Sequence, residues 1–154
     1  MLYIRFSLFF SLVHLVCYII AGIIDLRLAK KMYVGKDRLY RAFFRDMEDP
    51  KQSLRIAKLL IPSQLLRGIL MSVVLYPVLP FLFGLSFGMR FLFLAGMMFV
   101  YADFCSAIPF SNTIEGIVYL KKEFVEKRMF WTIQLEAIIY SILFGLLSGW
   151  LLFW

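Results

Sequence analysis

Four long apolar stretches, separated by polar or turn-forming segments, dominate the chain. A helix needs about 20 predominantly apolar residues to cross the hydrocarbon core of a bilayer. The stretches that meet this requirement cover residues 2–24, 59–83, 91–110 and 130–154. The pattern predicts an all-α integral membrane protein with four spans, in which residues 1–154 form a single membrane domain.

The link between the second and third stretches is very short. Residues 84–90 read Gly-Leu-Ser-Phe-Gly-Met-Arg, which leaves room for little more than a turn. Helices joined by so few residues are antiparallel neighbours. We therefore expect a four-span antiparallel helix bundle.

The composition agrees with this architecture. Hydrophobic residues make up 62% of the 154 positions and charged residues 18%, whereas soluble domains have about 45–50% and about 25%. A soluble protein of this size has too little interior to bury so much apolar surface. Cys17 and Cys105 both fall in apolar stretches, where we interpret them as small hydrophobic residues and not as a disulfide framework.

Basic residues give the chain a net charge of +7 and are unevenly distributed. Of the 17 lysines and arginines, ten lie in residues 25–58 and four in residues 111–129. Lysine and arginine concentrate in the cytoplasmic loops of membrane proteins. We therefore expect connections 25–58 and 111–129 to be cytoplasmic, both termini to lie outside the cell membrane, and no nucleic acid to bind.

The first connection contains an amphipathic pattern. Arg38, Arg41 and Arg45 recur at helical spacing on one face, and Tyr40, Phe43, Phe44 and Met47 recur on another. The pattern predicts an amphipathic basic helix between spans 1 and 2, with its three arginines on the anionic headgroups of membrane lipids. The alternative is a cytoplasmic helix that packs on the bundle.

A helix start signal follows this segment. Asp49 has the residue type of an N-cap, and Pro50 suits the first helical position. We expect a helix to run from here into the second span. Pro77 and Pro80 should distort the outer end of that span.

The first span carries a polar stripe along one helical face. Its members follow one another at steps of three or four residues and are Ser7, Ser11, His14, Tyr18, Gly22 and Asp25. Lipid offers these side chains no hydrogen bonds. The stripe should therefore face protein or a wet cavity.

Further ionisable residues interrupt the other spans. We predict a polar cluster, or ligand site, formed by Arg67, Asp103, Glu115, Glu136, His14 and Tyr18. Each buried ion costs roughly 2.5–3.5 kcal/mol on insertion scales. Either Arg67 pairs with Glu136 or Asp103 to make insertion tolerable, or the cluster is a pocket for a headgroup, an ion or a proton.

A break in the third span is predicted at Pro109, which disfavours helix at the residue before it. Ser111 or Asn112 then has the residue type of an N-cap, with Glu115 following as in a capping box. The alternative is a broken-helix binding site, in which freed backbone groups line a cavity.

The fourth span carries a stripe of small residues suited to close helix packing. Ala137, Ser141, Gly145 and Gly149 follow one another at intervals of four. Such a stripe admits another helix, either from the same chain or from a second subunit of a homo- or hetero-oligomer. Trp131, Trp150 and Trp154 bracket this span as interfacial anchors.

The sequence contains no motif for a known cofactor or metal site, so we expect neither. His14 is the single histidine, which excludes bis-histidine haem and an HExxH zinc site within one chain. Our leading hypothesis is a non-catalytic membrane protein, either a helper subunit or a binder of an amphiphile. We lean against an enzyme and leave the question open.

Two other hypotheses make different structural demands. A membrane-embedded enzyme acting on a lipid headgroup needs a cavity above about 300 Å³, lined by Arg67 and an acid. In that case Glu115 or Glu136 would be the general base. An oligomeric ion or proton carrier needs a polar path across both halves of the membrane.

Overall fold

The fold is helical throughout the part of the chain that the computed structural model describes. That part comprises residues 2–28, 30–35, 38, 40–42 and 44–152, with the backbone alone at residue 31. Its α-helices are α1 (Leu2–Leu28), α2 (Lys30–Tyr33), α3 (Pro50–Val74), α4 (Leu79–Gly84), α5 (Phe87–Phe99), α6 (Ile114–Tyr119) and α7 (Lys127–Leu151). Short turns of 3-10 helix precede α4 and α7, and a π-helical turn extends α5 over Val100–Phe104.

Four of these helices are long and apolar enough to cross a membrane. They are α1, α3, α7 and the continuous segment Phe87–Phe104 that joins α5 to its π-turn. The prediction of four apolar helices is therefore confirmed.

The long helices pack side by side in the order α3, α1, α7, α5. α1 packs along both α3 and α7, and α7 packs along α5. Among the described residues, α3 and α5 share no comparable interface. The main hydrophobic core is centred on α1 and α7, where Phe10 and Phe144 meet edge to face and are fully buried.

The polar stripe of α1 faces α3 and α7, as predicted. Ser7, Ser11, His14 and Asp25 are each at most 6% exposed. Ser11 Oγ donates to the carbonyl oxygen of Leu65 at 2.7 Å, which ties the stripe to the α3 backbone. The hydroxyl of Ser11 thus has its hydrogen-bond partner within the protein.

The small-residue stripe of α7 packs against another helix of the same chain. A Cβ atom at Gly145 would lie 2.7 Å from Ala95 Cβ and 3.0 Å from Phe91 O on α5. Gly149 faces Phe87 of the same helix. The stripe therefore has α5 as its partner within one copy of the chain.

The second span begins and ends where its capping and proline signals indicate. The Asp49 side chain accepts hydrogen bonds from the backbone of Lys51 and Gln52, with Pro50 in the first turn, so the predicted N-cap is confirmed. α3 stops at Val74, and the proline-containing segment continues as a 3-10 turn and α4.

The third span is shorter than predicted. Its helix ends with the π-turn at Phe104, and residues 105–110 are not helical. The break precedes Pro109 because Cys105 N returns to Val100 O at 2.8 Å and Ser106 N to Asp103 O at 2.9 Å, which closes the helix. The predicted end at residue 110 is therefore wrong.

The N-cap of α6 also differs from the prediction. Thr113, with an extended backbone, accepts from Gly116 N at 2.9 Å. Ser111 and Asn112 do not cap this helix, because their side chains are hydrogen-bonded to Tyr40 and Asp103 instead.

The amphipathic basic helix predicted between spans 1 and 2 does not form in the described residues. Residues 38, 40–42 and 44–49 adopt turns, bends and irregular structure. Tyr40 is fully buried, and Phe44 packs against it. The Tyr40 ring packs against Phe110 and Phe124. The segment therefore folds inward and does not present a helical apolar face. Phe43 lies outside the described residues.

Two of the three predicted interfacial tryptophans lie within the described residues. Trp131 and Trp150 are both exposed near the two ends of α7. Trp154 lies outside the described residues.

Candidate functional site

A partly open cavity of about 520 Å³ lies among the four long helices, toward the end of the molecule that carries residues 30–58. Its walls combine side chains from α1, α3, the π-turn and α7 with aromatic residues of both long connections. The polar residues of its lining are His14, Tyr18, Tyr33, Arg45, Arg67, Asp103, Asn112, Glu136 and Tyr140.

Most of the predicted polar cluster lines this cavity. His14, Tyr18, Arg67, Asp103 and Glu136 are all part of its wall. Glu115 is not among the lining residues and is half-buried on α6. The ligand-binding role of these residues stays a prediction.

Both ring nitrogens of His14 are occupied. Nε2 donates to Gln64 Oε1 at 3.1 Å, and Nδ1 accepts from the Tyr140 hydroxyl at 2.5 Å. The histidine is fully buried and links α1 to α3 and to α7. Its geometry suits a positioning residue, because neither nitrogen is left to accept a proton from a ligand.

Asp103 is positioned by the π-turn that ends the third long helix. Single π-turns inside helices occur frequently at functional sites. The Asn112 amide donates to Asp103 Oδ1, which fixes the carboxylate against the segment before α6. Asn112 itself is 2% exposed, so this contact lies at the floor of the cavity.

Arg67 and Glu136 line the same cavity without pairing. An ion pair within 4.0 Å joins Arg38 to Asp46, but none joins Arg67 to Glu136 in the part of the chain that the structure describes. Arg67 is exposed and Glu136 half-buried, and neither takes part in a side-chain hydrogen bond in the described structure. The Arg67 charge nevertheless acts electrostatically on the Asp103 carboxylate. Internal neutralisation of Arg67 and a pocket for a ligand therefore both stay predictions.

Asp25 adds a third carboxylate behind the cavity wall. It is 3% exposed, and its Oδ1 has no hydrogen-bond partner. The Tyr33 hydroxyl lies within hydrogen-bonding range of the carboxylate, and Asp25 and Asp103 both act electrostatically on Glu136. The polar stripe includes Asp25, but the sequence gives no sign that its charge acts on Glu136.

An aromatic cluster closes the end of the cavity formed by the connections. The Tyr40 hydroxyl donates to Ser111 Oγ, which in turn donates to Phe124 O at 2.5 Å. Phe44 stacks on Tyr33. Burial raises the pKa of Tyr40 and that of Tyr33, and the nearby Asp25 charge raises the Tyr33 pKa further.

The predicted lipid-contact arginines have three different environments. Arg38 is paired with Asp46 at 2.9 Å and so has an internal partner. Arg41 is exposed. Arg45 is exposed and also lines the cavity.

Two residues at the site could not be identified from the sequence. They are Tyr33, which lines the cavity, and Gln64, which holds His14; both are uncharged and lie where no periodic pattern singles them out. Tyr140 continues the polar row of Thr132 and Glu136 on α7 at intervals of four residues, and this spacing places it on the same face as Glu136.

The described residues contain no group of three histidine, cysteine, aspartate or glutamate side chains arranged to hold a metal ion. The chain matches no protein-family model, no curated protein and no solved structure.

Proposed function

We propose that the chain is an integral membrane protein with four antiparallel spans. Its termini lie outside the cell membrane, and connections 25–58 and 111–129 lie in the cytoplasm. Four apolar helices of sufficient length support membrane insertion. The concentration of lysine and arginine in these two connections supports the orientation.

Cysteine labelling tests this topology. In a background with Cys17→Ala and Cys105→Ser, single cysteines replace Ala42, Gly88 or Lys121, which are all exposed. A membrane-impermeant maleimide added to intact cells should label position 88, and should label positions 42 and 121 after the membrane is opened. Labelling of positions 42 and 121 from opposite sides would contradict the proposal.

We further propose that the cavity binds the polar head of an amphiphile and performs no reaction on it. The observation that carries this proposal is the unpaired Arg67, which shares the cavity with two carboxylates. Unpaired ions in a low-dielectric environment are costly, and a bound polar group would offset that cost.

The weak contact between α3 and α5 supports entry from the side. A lipid or similar amphiphile could slide its head between these helices while its chains stay in the bilayer. The planar guanidinium of Arg67, on α3, lines the cavity and suits a phosphate or carboxylate. The cavity lining is otherwise rich in apolar and aromatic side chains, as ligand sites are.

Native mass spectrometry tests the binding proposal. The wild type and Arg67→Gln are each extracted in mild detergent, and the lipids bound to each protein are identified. We expect a phospholipid on the wild type and about tenfold less on Arg67→Gln, the loss of one charge-assisted contact. The matched control is Arg55→Gln, an exposed arginine of the same helix outside this cavity, which should retain the lipid. A bare wild-type protein, or an equal loss in both variants, would contradict the proposal.

A larger protein that co-purifies with the chain would indicate the helper subunit instead. This outcome is read in the same spectra. The binding proposal expects the chain to remain folded and lipid-bound without another protein.

A membrane enzyme acting on a lipid headgroup is the second candidate. The cavity volume of about 520 Å³ exceeds the roughly 300 Å³ that such a site needs, and Arg67 and Glu136 both line it. Incubation of the purified protein with phospholipid vesicles, followed by lipid mass spectrometry, decides between the two. The binding proposal expects every lipid to be recovered unchanged, whereas a product lost in Glu136→Gln would favour the enzyme.

The carrier hypothesis receives less support from the packing. Beyond His14, toward Leu2, the described interior is filled mainly by Phe6, Phe10 and Phe144 together with leucines. The cavity lining does not extend into this region. We therefore do not propose an ion or proton path.

A further inference from the structure

The cavity lining carries charges of both signs. They are the guanidinium groups of Arg45 and Arg67 and the carboxylates of Asp103 and Glu136. Arg67 lies on α3 and is exposed, whereas Glu136 lies on α7 and is half-buried. α1 separates α7 from α3 in the packing order, so a ligand in the cavity can reach a guanidinium and a carboxylate on two different helices.

The two carboxylates of the cavity lining, Asp103 and Glu136, favour a cation. Glu136 is in electrostatic range of both Asp25 and Asp103. Like charges that share a buried site destabilise one another, and no arginine or lysine lies within 4.0 Å of these carboxylates in the described structure. A positive ligand group placed among them would remove this repulsion.

The cation that suits these carboxylates is an organic ammonium group and not a metal ion. The described acids and histidine are not arranged as metal ligands. The rings of Tyr18, Tyr33 and Tyr140 also line this region, and aromatic faces attract organic ammonium groups.

Resting on the proposed function, we infer that the cavity selects an amphiphile with a zwitterionic phosphate–ammonium head, the phosphate on Arg67 and the ammonium at the lining carboxylates of Asp103 and Glu136. In such phospholipids the acyl chains, the phosphate and the ammonium follow one another in that order. The cavity offers a guanidinium for the phosphate and carboxylates for the ammonium.

Competition among lipids tests the headgroup. The wild-type protein is equilibrated in mixed micelles with equal amounts of phosphatidylethanolamine, phosphatidylcholine and phosphatidylglycerol of identical acyl chains, and retained lipid is read by native mass spectrometry. We expect the two ammonium lipids to be retained about tenfold over phosphatidylglycerol, the selectivity of one charge-assisted contact. Preference for phosphatidylethanolamine over phosphatidylcholine would identify a hydrogen-bonded primary ammonium. The reverse preference would identify a quaternary ammonium held by the aromatic rings.

Two variants separate the contributions of phosphate and ammonium. Glu136→Gln should abolish the preference over phosphatidylglycerol, whereas Arg67→Gln should lower retention of all three lipids and keep the preference. Glu115→Gln, an acid outside the cavity lining, is the matched control and should behave as the wild type.

The possible failures are distinguishable. Equal or stronger retention of phosphatidylglycerol by the wild type would overturn the headgroup inference and leave amphiphile binding intact. Retention of none of the three lipids would overturn the proposed function itself. If Glu136→Gln does not fold, the competition on the wild type still decides.

Discussion

Gly68 on α3 lies directly against the backbone of Ser11 on α1. A Cβ atom at position 68 would be 2.7 Å from Ser11 Cα and 2.9 Å from Ser11 Oγ. Real Cβ atoms do not approach a backbone atom so closely, so the glycine is what allows the two helices to meet here. The hydrogen bond from Ser11 to Leu65 O, 2.7 Å long, lies at the same crossing.

Gly68→Ala should therefore destabilise the protein by about 1–3 kcal/mol, the usual cost of overpacking a tight interface. The measurement is reversible unfolding in mixed micelles, followed by circular dichroism. Gly96→Ala is the matched control, because position 96 is also helical and its Cβ would meet nothing within 4 Å. That substitution should be neutral or slightly stabilising. Equal stability of the two variants would contradict the close approach.

The interface between α5 and α7 allows a graded test. Gly145→Ala would bring a Cβ atom to 2.7 Å from Ala95 Cβ, whereas the nearest atom to a Cβ at position 149 is Phe87 Cε2 at 3.4 Å. We expect the first substitution to cost about 1–3 kcal/mol and the second well under 1 kcal/mol. Unfolding in mixed micelles again measures the difference. A larger loss for Gly149→Ala would mean that α7 packs against α5 in another register.

The N-cap of α3 should make the N-terminal end of this helix sensitive to acid. Hydrogen bonds from Gln52 and from the backbone of Lys51 lower the pKa of Asp49. A carboxylate whose folded pKa is depressed contributes stability above its unfolded pKa of about 3.9, and that contribution is lost as the pH falls through the folded value.

Hydrogen exchange of the amides of Lys51 and Gln52 measures this effect. Their protection should fall on acidification in the wild type and should be low at every pH in Asp49→Ala. Asp49→Asn keeps an oxygen acceptor that does not titrate, so its protection should vary much less with pH. An equal pH dependence in Asp49→Asn would show that another group is responsible.

Local and periodic features of the fold could be predicted from the sequence. The stripe containing Ser11 and His14 is visible as helical spacing, and Asp49 with Pro50 is a local start signal. Both depend on residues close in sequence, where the geometry of one helix fixes which side chains share a face.

Features that depend on distant contacts could not be predicted. The amphipathic pattern around Tyr40 indicates a helix. The segment instead folds inward, because Tyr40 packs against Phe110 and Phe124, which are more than 60 residues away in the sequence. Nothing local to Arg67 reveals that it stays unpaired beside Glu136. The early end of the third span at the π-turn is likewise set by backbone hydrogen bonds that leave no residue-type signal.

The aromatic cluster around Tyr40 should make the protein unstable at alkaline pH. Burial raises the pKa of Tyr40 and of Tyr33. A tyrosine whose folded pKa exceeds its unfolded value of about 10 contributes stability that is fully present below that pH. The contribution is lost as the pH rises toward the folded pKa, because the unfolded chain releases its phenolic proton first.

Unfolding in mixed micelles between about pH 8 and about pH 11 measures this loss. Tyr40→Phe should cost about 0.5–1.5 kcal/mol at neutral pH, since the Ser111 hydroxyl loses its donor, and should flatten the alkaline decline. Tyr33→Phe should flatten the decline as well. Tyr119→Phe, which alters a tyrosine that is 72% exposed on α6, is the control and should leave the wild-type slope. An unchanged slope in both Tyr40→Phe and Tyr33→Phe would mean that neither phenol is buried in the folded protein.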